Sequence, residues 1–129
     1  MFDPADKREK KRYYEKQANL VVERIWDLEF KKTTLKRDRE HLRRQHDRVM
    51  DNYRQAEARI AVEKKKKEPD KTVLENLPKL LDQHAQDIKQ LQEYIQKIDS
   101  GITGPEGLDA YMAAYQGRLK ALREYMESL

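Results

Sequence analysis

The side chains best suited to chemistry lie in residues 7–16, which carry six basic residues, two acids and a pair of tyrosines. Basic side chains neutralise phosphates, and aromatic rings can stack on bases, so this composition favours nucleic-acid binding. The alternative interpretation is a solvated helix end. Secondary basic patches are formed by Arg43 and Arg44 and by the four lysines at 64–67, although a lysine run beside a turn is usually just solvated. The predicted nucleic-acid-binding residues are Lys7, Arg8, Lys10, Lys11, Arg12, Tyr13, Tyr14, Lys16, Arg43 and Arg44.

Motifs for catalysis or metal binding are absent from the sequence. It has no cysteine, no Gly-rich phosphate loop, no His-Glu-x-x-His and no Gly-x-Ser-x-Gly. His41 and His46 are five residues apart, which separates them by about 140° around a helix. His84 stands alone on an apolar stripe. We therefore expect no catalytic residue, no metal, no cofactor and no small-molecule substrate, and we expect that the protein is not an enzyme.

Hydrophobic segments long enough for a membrane are also absent. No apolar run approaches the roughly 18 residues that a spanning helix needs. The start, Met1-Phe2-Asp3-Pro4, has no apolar signal-peptide core. We expect no membrane partner and a location in a virion or in the cytoplasm.

Charge is unevenly distributed along a very polar chain. Charged residues make up 40% of the sequence, and hydrophobic residues 37%, so helices can bury narrow seams but not a thick core. Residues 1–67 have a net charge of +8, and residues 68–129 of −4. The asymmetry indicates either an anionic partner for the first part or a neighbouring helix that carries compensating acids.

The breaks between helices are few, because the chain has only four glycines and four prolines. They predict an all-α protein in which two shorter helices pack antiparallel to one very long N-terminal helix, as a coiled-coil-like extended hairpin or bundle. Asp3 and Pro4 suit a helix start. The predicted parts are a long basic helix over 1–67 with a protruding N-terminal arm, a connector over 68–77, a second helix over 78–99, a Gly/Pro loop over 100–107 and a third helix over 108–129.

Apolar residues recur at alternating steps of three and four, the heptad spacing of helices that wrap around each other. In the long helix, Lys32, Arg39 and His46 interrupt one of the two columns. The predicted seams are Val21, Ile25, Leu28, Leu35, Leu42, Val49, Tyr53, Ala56 and Ile60 in the first helix; Leu81, His84, Ile88, Leu91, Ile95 and Ile98 in the second; and Leu108, Met112, Tyr115, Leu119, Leu122, Met126 and Leu129 in the third.

The predicted helix lengths do not match. At about 1.5 Å per residue the first helix would extend about 90 Å, and the other two together about 70 Å. Arranged end to end, they would leave roughly 15 residues of the first helix protruding, and folded back they would leave up to about 40. A lone helix with half a seam is unstable in water, so we expect another chain or a ligand to cover it.

The richest apolar patch of the first helix contains Trp26 and Phe30, which share a face because they are four residues apart. They are expected either to anchor an interface with another chain or to pack against the third helix. The predicted partner is a second copy or a paralogous subunit. The predicted interface residues are Val22, Ile25, Trp26, Phe30, Leu35, Leu42, Val49, Tyr115, Leu119 and Leu122.

A short C-terminal segment resembles the coat proteins of filamentous archaeal viruses. It comprises Gly-Ile-Thr-Gly-Pro at 101–105, Tyr-Gln-Gly at 115–117 and Leu-Lys-Ala-Leu at 119–122. The resemblance implies an all-helical protein whose basic N-terminal helices wrap double-stranded DNA and whose C-terminal bundle forms a filament wall. The spacing between the first two motifs is longer here than in that family.

The same region is also similar to the coiled-coil chaperones of flagellar and type III export. The similarity comprises a Gly-Ile loop followed by Leu108, Tyr111, Tyr115 and Leu119. It implies a two-helix antiparallel hairpin that works beside an export ATPase. In that family a long helix follows the loop, whereas about 22 residues follow it here.

Two functional hypotheses follow. The first is a structural assembly subunit that oligomerises through its seams and binds nucleic acid, DNA or RNA, without sequence specificity. The second is a coiled-coil adaptor or chaperone that binds a protein partner.

Overall fold

The chain is helical over almost all of the residues that the structure describes. A computed structural model describes the backbone of residues 4–129 and the side chains of residues 6–129. It contains three helices, α1 (Pro4–Lys64), α2 (Lys71–Thr103) and α3 (Leu108–Ser128), and no strand within the described range. The prediction of an all-α fold with a very long first helix is confirmed. The predicted N-cap, Asp3, lies outside the described residues.

The helices contribute to two compact units. The first unit combines Met1–Lys36 with Asp99–Leu129, so it contains the first part of α1, the last residues of α2 and all of α3. The second unit is Arg37–Ile98, which contains the second part of α1 and most of α2.

In the first unit, α3 runs antiparallel to α1. Lys32 Nζ lies 2.6 Å from Asp109 Oδ1 near the start of α3. Near its end, the ring centroid of Tyr125 lies 4.7 Å from that of Tyr14. The later residue of α1 thus contacts the earlier residue of α3. The buried core of this unit consists of Ala18, Val21, Ile25, Ile102 and Met112.

In the second unit, α1 and α2 form an antiparallel hairpin closed by residues 65–70. The Nε2 atoms of Gln92 and His46 are 3.3 Å apart across the pair. Its buried residues are Ala56, Leu77 and the carboxylate residue Glu63. The hairpin therefore has a thinner apolar core than the first unit.

The predicted seams are confirmed in all three helices, since none of their members is fully exposed. In α1 the seam extends two positions further toward the N-terminus, to Ala18 and Tyr14. Three polar residues, Lys32, Arg39 and His46, are half-buried where the heptad places them. The 3.5-residue period thus locates the packed stripe even where its side chains are charged.

The end of α1 differs from the prediction. The helix ends at Lys64 rather than near residue 67, and the connector spans 65–70 rather than 68–77. The backbone N–H groups of Lys65 and Lys66 donate to the carbonyls of Val62 and Glu63, three residues earlier. These short-range bonds tighten the last turn and end the α-helix before the lysine run is complete.

The start of α2 also differs, because α2 begins at Lys71 and not at residue 78. Asp70 caps it: its Oδ1 accepts the Thr72 N–H at 2.9 Å, and its carbonyl accepts the Leu74 N–H at 3.1 Å. Pro78, predicted to lie in the first turn, lies inside the helix. The cap and the burial of Leu77 offset the hydrogen bond that the proline cannot donate.

At its other end α2 continues through Gly101 and Ile102 to Thr103, so the predicted loop over 100–107 is reduced to 104–107. Ile102, four residues after Ile98, is only 1% exposed, and its burial favours another helical turn. A Cβ on Gly107 would lie 2.7 Å from the Ile102 carbonyl oxygen, and one on Gly104 would overlap the Ser100 carbonyl. Both turn glycines permit close backbone approach.

The packed part of α1 begins close to where the predicted N-terminal arm of roughly 15 residues ends. Tyr14 contacts α3, and Ala18 is buried, so both lie in the packed part of the first unit. The sequence-based count assigned 22 residues to the second helix, whereas α2 has 33.

Candidate nucleic-acid and subunit interfaces

Four basic residues form one face in the first turns of α1. Lys7 and Lys11 are four residues apart, as are Arg8 and Arg12, so each pair is adjacent on the helix surface. All four side chains are exposed, and so is Lys16, one turn beyond Arg12. We call these five residues the basic face. They lie at the positive N-terminal end of α1, where the backbone also favours an anion.

The acids of this segment are mostly on the other side. At 100° per residue, Asp6 lies about 170° and Glu9 about 130° from the centre of the arc formed by Lys7, Arg8, Lys11 and Arg12. Glu15 lies on the basic face, at its C-terminal end. The first three turns therefore present a concentrated positive surface rather than an even mixture of charges.

The tyrosine pair behaves differently from the prediction. Tyr13 is exposed, and its ring centroid is 5.2 Å from that of Tyr14. Tyr14 is half-buried and packs edge-on against Tyr125. The electrostatic influence of Tyr125 raises the pKa of Tyr14 above its ordinary value of 10.0. Tyr14 thus joins the helix pair, and Tyr13 is the ring of this pair that is open to a ligand.

The other predicted basic residues are less concentrated. Lys10 is half-buried. Arg43 and Arg44 are exposed but belong to the second unit. Arg44 Nε lies 3.5 Å from Glu40 Oε1, one turn earlier. The structure does not bring these two arginines and the basic face together in one unit.

Most residues predicted to form an intermolecular interface pack against another helix of their own chain. They occupy the antiparallel seams, because each part of α1 has a partner helix from its own polypeptide. Ile25 is buried, and the others are half-buried. An interface with another chain stays a prediction for Val22, Ile25, Leu35, Leu42, Val49, Tyr115, Leu119 and Leu122.

Trp26 and Phe30 are the exceptions. Their side chains are 64% and 76% exposed, so packing against α3 does not cover them. Trp26 follows the seam residue Ile25 by one position and lies about 100° away from it. Large exposed aromatic side chains on a rigid helix are suitable anchors for a partner.

A groove between α1 and α3 contains residues that the sequence analysis did not select. Two cavities of about 380 and 420 Å³ share Arg24, Asp27 and Tyr115 in their linings, so they are adjacent. Leu20 lines the first, and Phe30 and Tyr111 line the second. The sequence contains one pattern that points to this groove. Leu20, Arg24, Asp27 and Lys31 recur at steps of four, three and four and so form a second column beside the seam.

Neither a metal-holding cluster nor a membrane-spanning helix is found among the described residues. Over the range 6–129, no group of three or more His, Asp or Glu side chains is arranged to hold a metal ion. Within the described part of the chain, no helix combines the length and apolarity required to cross a membrane. His46 and His84, both half-buried, lie on the seams of the second unit.

Comparison with known proteins gives no relative. No protein-family model matches the sequence, no curated protein is significantly similar to it, and no solved structure matches it significantly. The resemblances to viral coat proteins and to export chaperones therefore stay predictions, and the surfaces of the molecule carry the functional argument.

Proposed function

We propose that this protein is a non-enzymatic structural subunit whose basic face binds nucleic acid without sequence specificity. The observation that carries the proposal is the exposure of five basic side chains on one face at the start of α1. The resemblance to filamentous viral coat proteins supports the same function. The proposal assigns the protein to a virion or to the cytoplasm.

The type of binding follows from the side chains. Lysine and arginine on a helix surface contact phosphates, which are the same at every base pair. If all five cations contact phosphates, the logarithm of the binding constant should fall with the logarithm of salt concentration with a slope of about −4.5.

The test is a salt titration with short random duplexes of DNA and RNA. We expect Arg8→Gln, Lys11→Gln and Arg12→Gln together to weaken binding and to reduce the slope by about 2.7, because three cations are lost. The matched control is Lys64→Gln, Lys65→Gln and Lys67→Gln, which removes the same charge from exposed residues at the end of α1. The control should keep the wild-type slope.

Two results would contradict the proposal. One is the absence of binding to either duplex at low salt. The other is an equal loss of affinity in both triple variants, because net charge alone would then account for the interaction.

The exposure of Trp26 and Phe30 supports a second candidate function, a coiled-coil adaptor that binds a protein. In that case the aromatic side chains, and not the basic face, contact the partner. Trp26 is the only tryptophan, so its emission reports on this surface directly. An adaptor should fail to bind nucleic acid at low salt, and its emission should shift to shorter wavelength when its protein partner covers Trp26.

A further inference from the structure

The groove between α1 and α3 exposes apolar side chains from both helices. Leu20 is 58% exposed and Tyr111 53% exposed, and Phe30 lines the same cavity as Tyr111. Single exposed hydrophobic residues are ordinary. Here they line two adjacent cavities along one concave strip of a helix pair, and such a strip accepts a further helix.

The α3 side of the groove allows close approach. Ala114 lies between Tyr111 and Arg118 at steps of three and four, on the same side of α3, and it is exposed. A Cβ added to the neighbouring Gly117 would meet no atom within 4 Å. The space above these small residues is therefore open, and another helix can reach the backbone of α3.

The charges at the centre of the groove identify the occupant. Arg24 and Asp27 are one turn apart, both are exposed, and neither has an ion pair with another described side chain in the structure. A two-fold axis crossing α1 between them makes α1 antiparallel to its copy. Each Arg24 then lies opposite the Asp27 of the other copy, which is the self-complementary pattern of a symmetric interface.

The lining as a whole fits a copy of itself better than a strongly charged ligand. It includes the basic residues Arg24, Lys31 and Arg118 and the acidic residues Glu23 and Asp27. The two carboxylates disfavour phosphates, and the three cations disfavour a basic peptide. Two identical, nearly neutral grooves do not repel each other.

We propose that a second copy of this chain docks in the α1–α3 groove, so that the two helix pairs form a symmetric antiparallel four-helix interface centred on Arg24 and Asp27. This inference rests on the proposed function as an assembly subunit and names the contact between its subunits. None of the residues of the basic face lines this groove, and neither does Trp26, which lies about 160° from Arg24 around α1.

The test is charge reversal, read out by sedimentation velocity from micromolar to millimolar concentration. We expect a wild-type dimer whose dissociation constant rises at least tenfold in Arg24→Asp and in Asp27→Arg, because each variant places like charges opposite each other. An equimolar mixture of the two variants restores complementarity and should associate as a heterodimer with near wild-type affinity.

The matched controls are Arg37→Asp and Asp38→Arg, which make the same changes at exposed residues outside the groove. They should dimerise like the wild type, and far-UV circular dichroism should show that every variant is folded. A wild-type monomer at all concentrations overturns the inference. So does a dimer that tolerates both groove variants, or a mixture that fails to associate.

Trp26 emission distinguishes the two surfaces. It should stay unchanged on dimerisation, and a shift to shorter wavelength would show that the copies meet through the Trp26 side instead. Duplex binding is measured on the same variants. If the protein dimerises but does not bind nucleic acid, the proposed function is rejected and the docking of a second copy is not. If it binds nucleic acid as a monomer, the docking of a second copy is rejected and the proposed function is not.

Discussion

The first and second units use the same heptad spacing but are stabilised differently. The seam of the first unit buries Val21, Ile25, Ile102 and Met112, and its one charged seam residue, Lys32, pairs with Asp109. The seam of the second unit carries Arg39, His46 and His84 at half-buried positions. Apolar burial therefore stabilises the first unit more, and polar seam residues limit which registers the second can adopt.

The turns of the two units also differ in the interactions that stabilise them. The turn of the first unit, residues 104–107, depends on close backbone contacts that only glycine permits. The turn of the second unit depends on a side chain. Glu63 Oε1 accepts the Asp70 N–H at 2.8 Å, and its Oε2 accepts from Lys66 Nζ at 2.9 Å. Close backbone packing at glycine residues stabilises the first turn, and hydrogen bonds to a carboxylate stabilise the second.

The largest change in stability is expected when a seam isoleucine of the first unit is replaced by alanine and compared with the same replacement in the second unit. Ile102→Ala should lower the free energy of unfolding by about 2–5 kcal/mol, because it leaves a cavity at the most buried side chain of the first unit. Ile60→Ala, at a half-buried position of the second unit, should cost less than half as much. Urea unfolding followed by circular dichroism measures both, and equal losses would contradict the difference between the seams.

A smaller effect is expected in the turn of the first unit. Gly107→Ala should destabilise the protein by about 1–3 kcal/mol, because the added methyl group meets the Ile102 carbonyl. Gly101→Ala is the matched control, since its Cβ meets nothing within 4 Å. This helical position should gain about 0.5–1 kcal/mol. Thermal unfolding of both variants measures these changes. If both variants lose stability equally, the steric contact at Gly107 does not explain the requirement for glycine.

The smallest effect is expected in the turn of the second unit, and it depends on pH. The hydrogen bond from Lys66, followed by that from the Asp70 backbone, lowers the pKa of Glu63 from its ordinary value of 4.5. A lowered pKa in the folded state contributes stability above pH 4.5, and this contribution is lost as the pH falls through the folded value.

Glu63→Gln should therefore be less stable than the wild type at neutral pH, and the difference should shrink in acid below pH 4.5. Urea unfolding at both pH values measures it. Glu68→Gln, an exposed acid of the same connector, is the control and should show no such convergence. A wild-type advantage that persists in strong acid would show that the Glu63 charge does not stabilise the turn.

The sequence predicted the fold and the seams because hydrophobic periodicity reports the packed face of a helix directly. It failed at Pro78 and Gly101, where local rules indicate a helix end. The Asp70 cap and the burial of Leu77 and Ile102 extend α2 past both residues. The cap is a local signal that the sequence analysis did not use, whereas the burial depends on partners distant in sequence.

The candidate surfaces were only partly predictable. The basic face is visible because charge and helical spacing are local properties, and Trp26 and Phe30 stand out by residue type. The groove is not visible, since Arg24 and Asp27 resemble any solvated pair until α3 places Tyr111 and Tyr115 beside them. The half-burial of Tyr14 could not be predicted, because its partner, Tyr125, is separated from it by most of the chain.

Pro78 affects where local unfolding of the second unit begins. Without an N–H at that position, the carbonyl of Leu74 has no helical donor, and the hydrogen-bond ladder of α2 is interrupted there. The segment before it, 71–77, keeps its helical form through the Asp70 cap and through contacts of Leu77. Fraying of this hairpin should therefore begin in those seven residues, while the uninterrupted ladder beyond the proline stays closed.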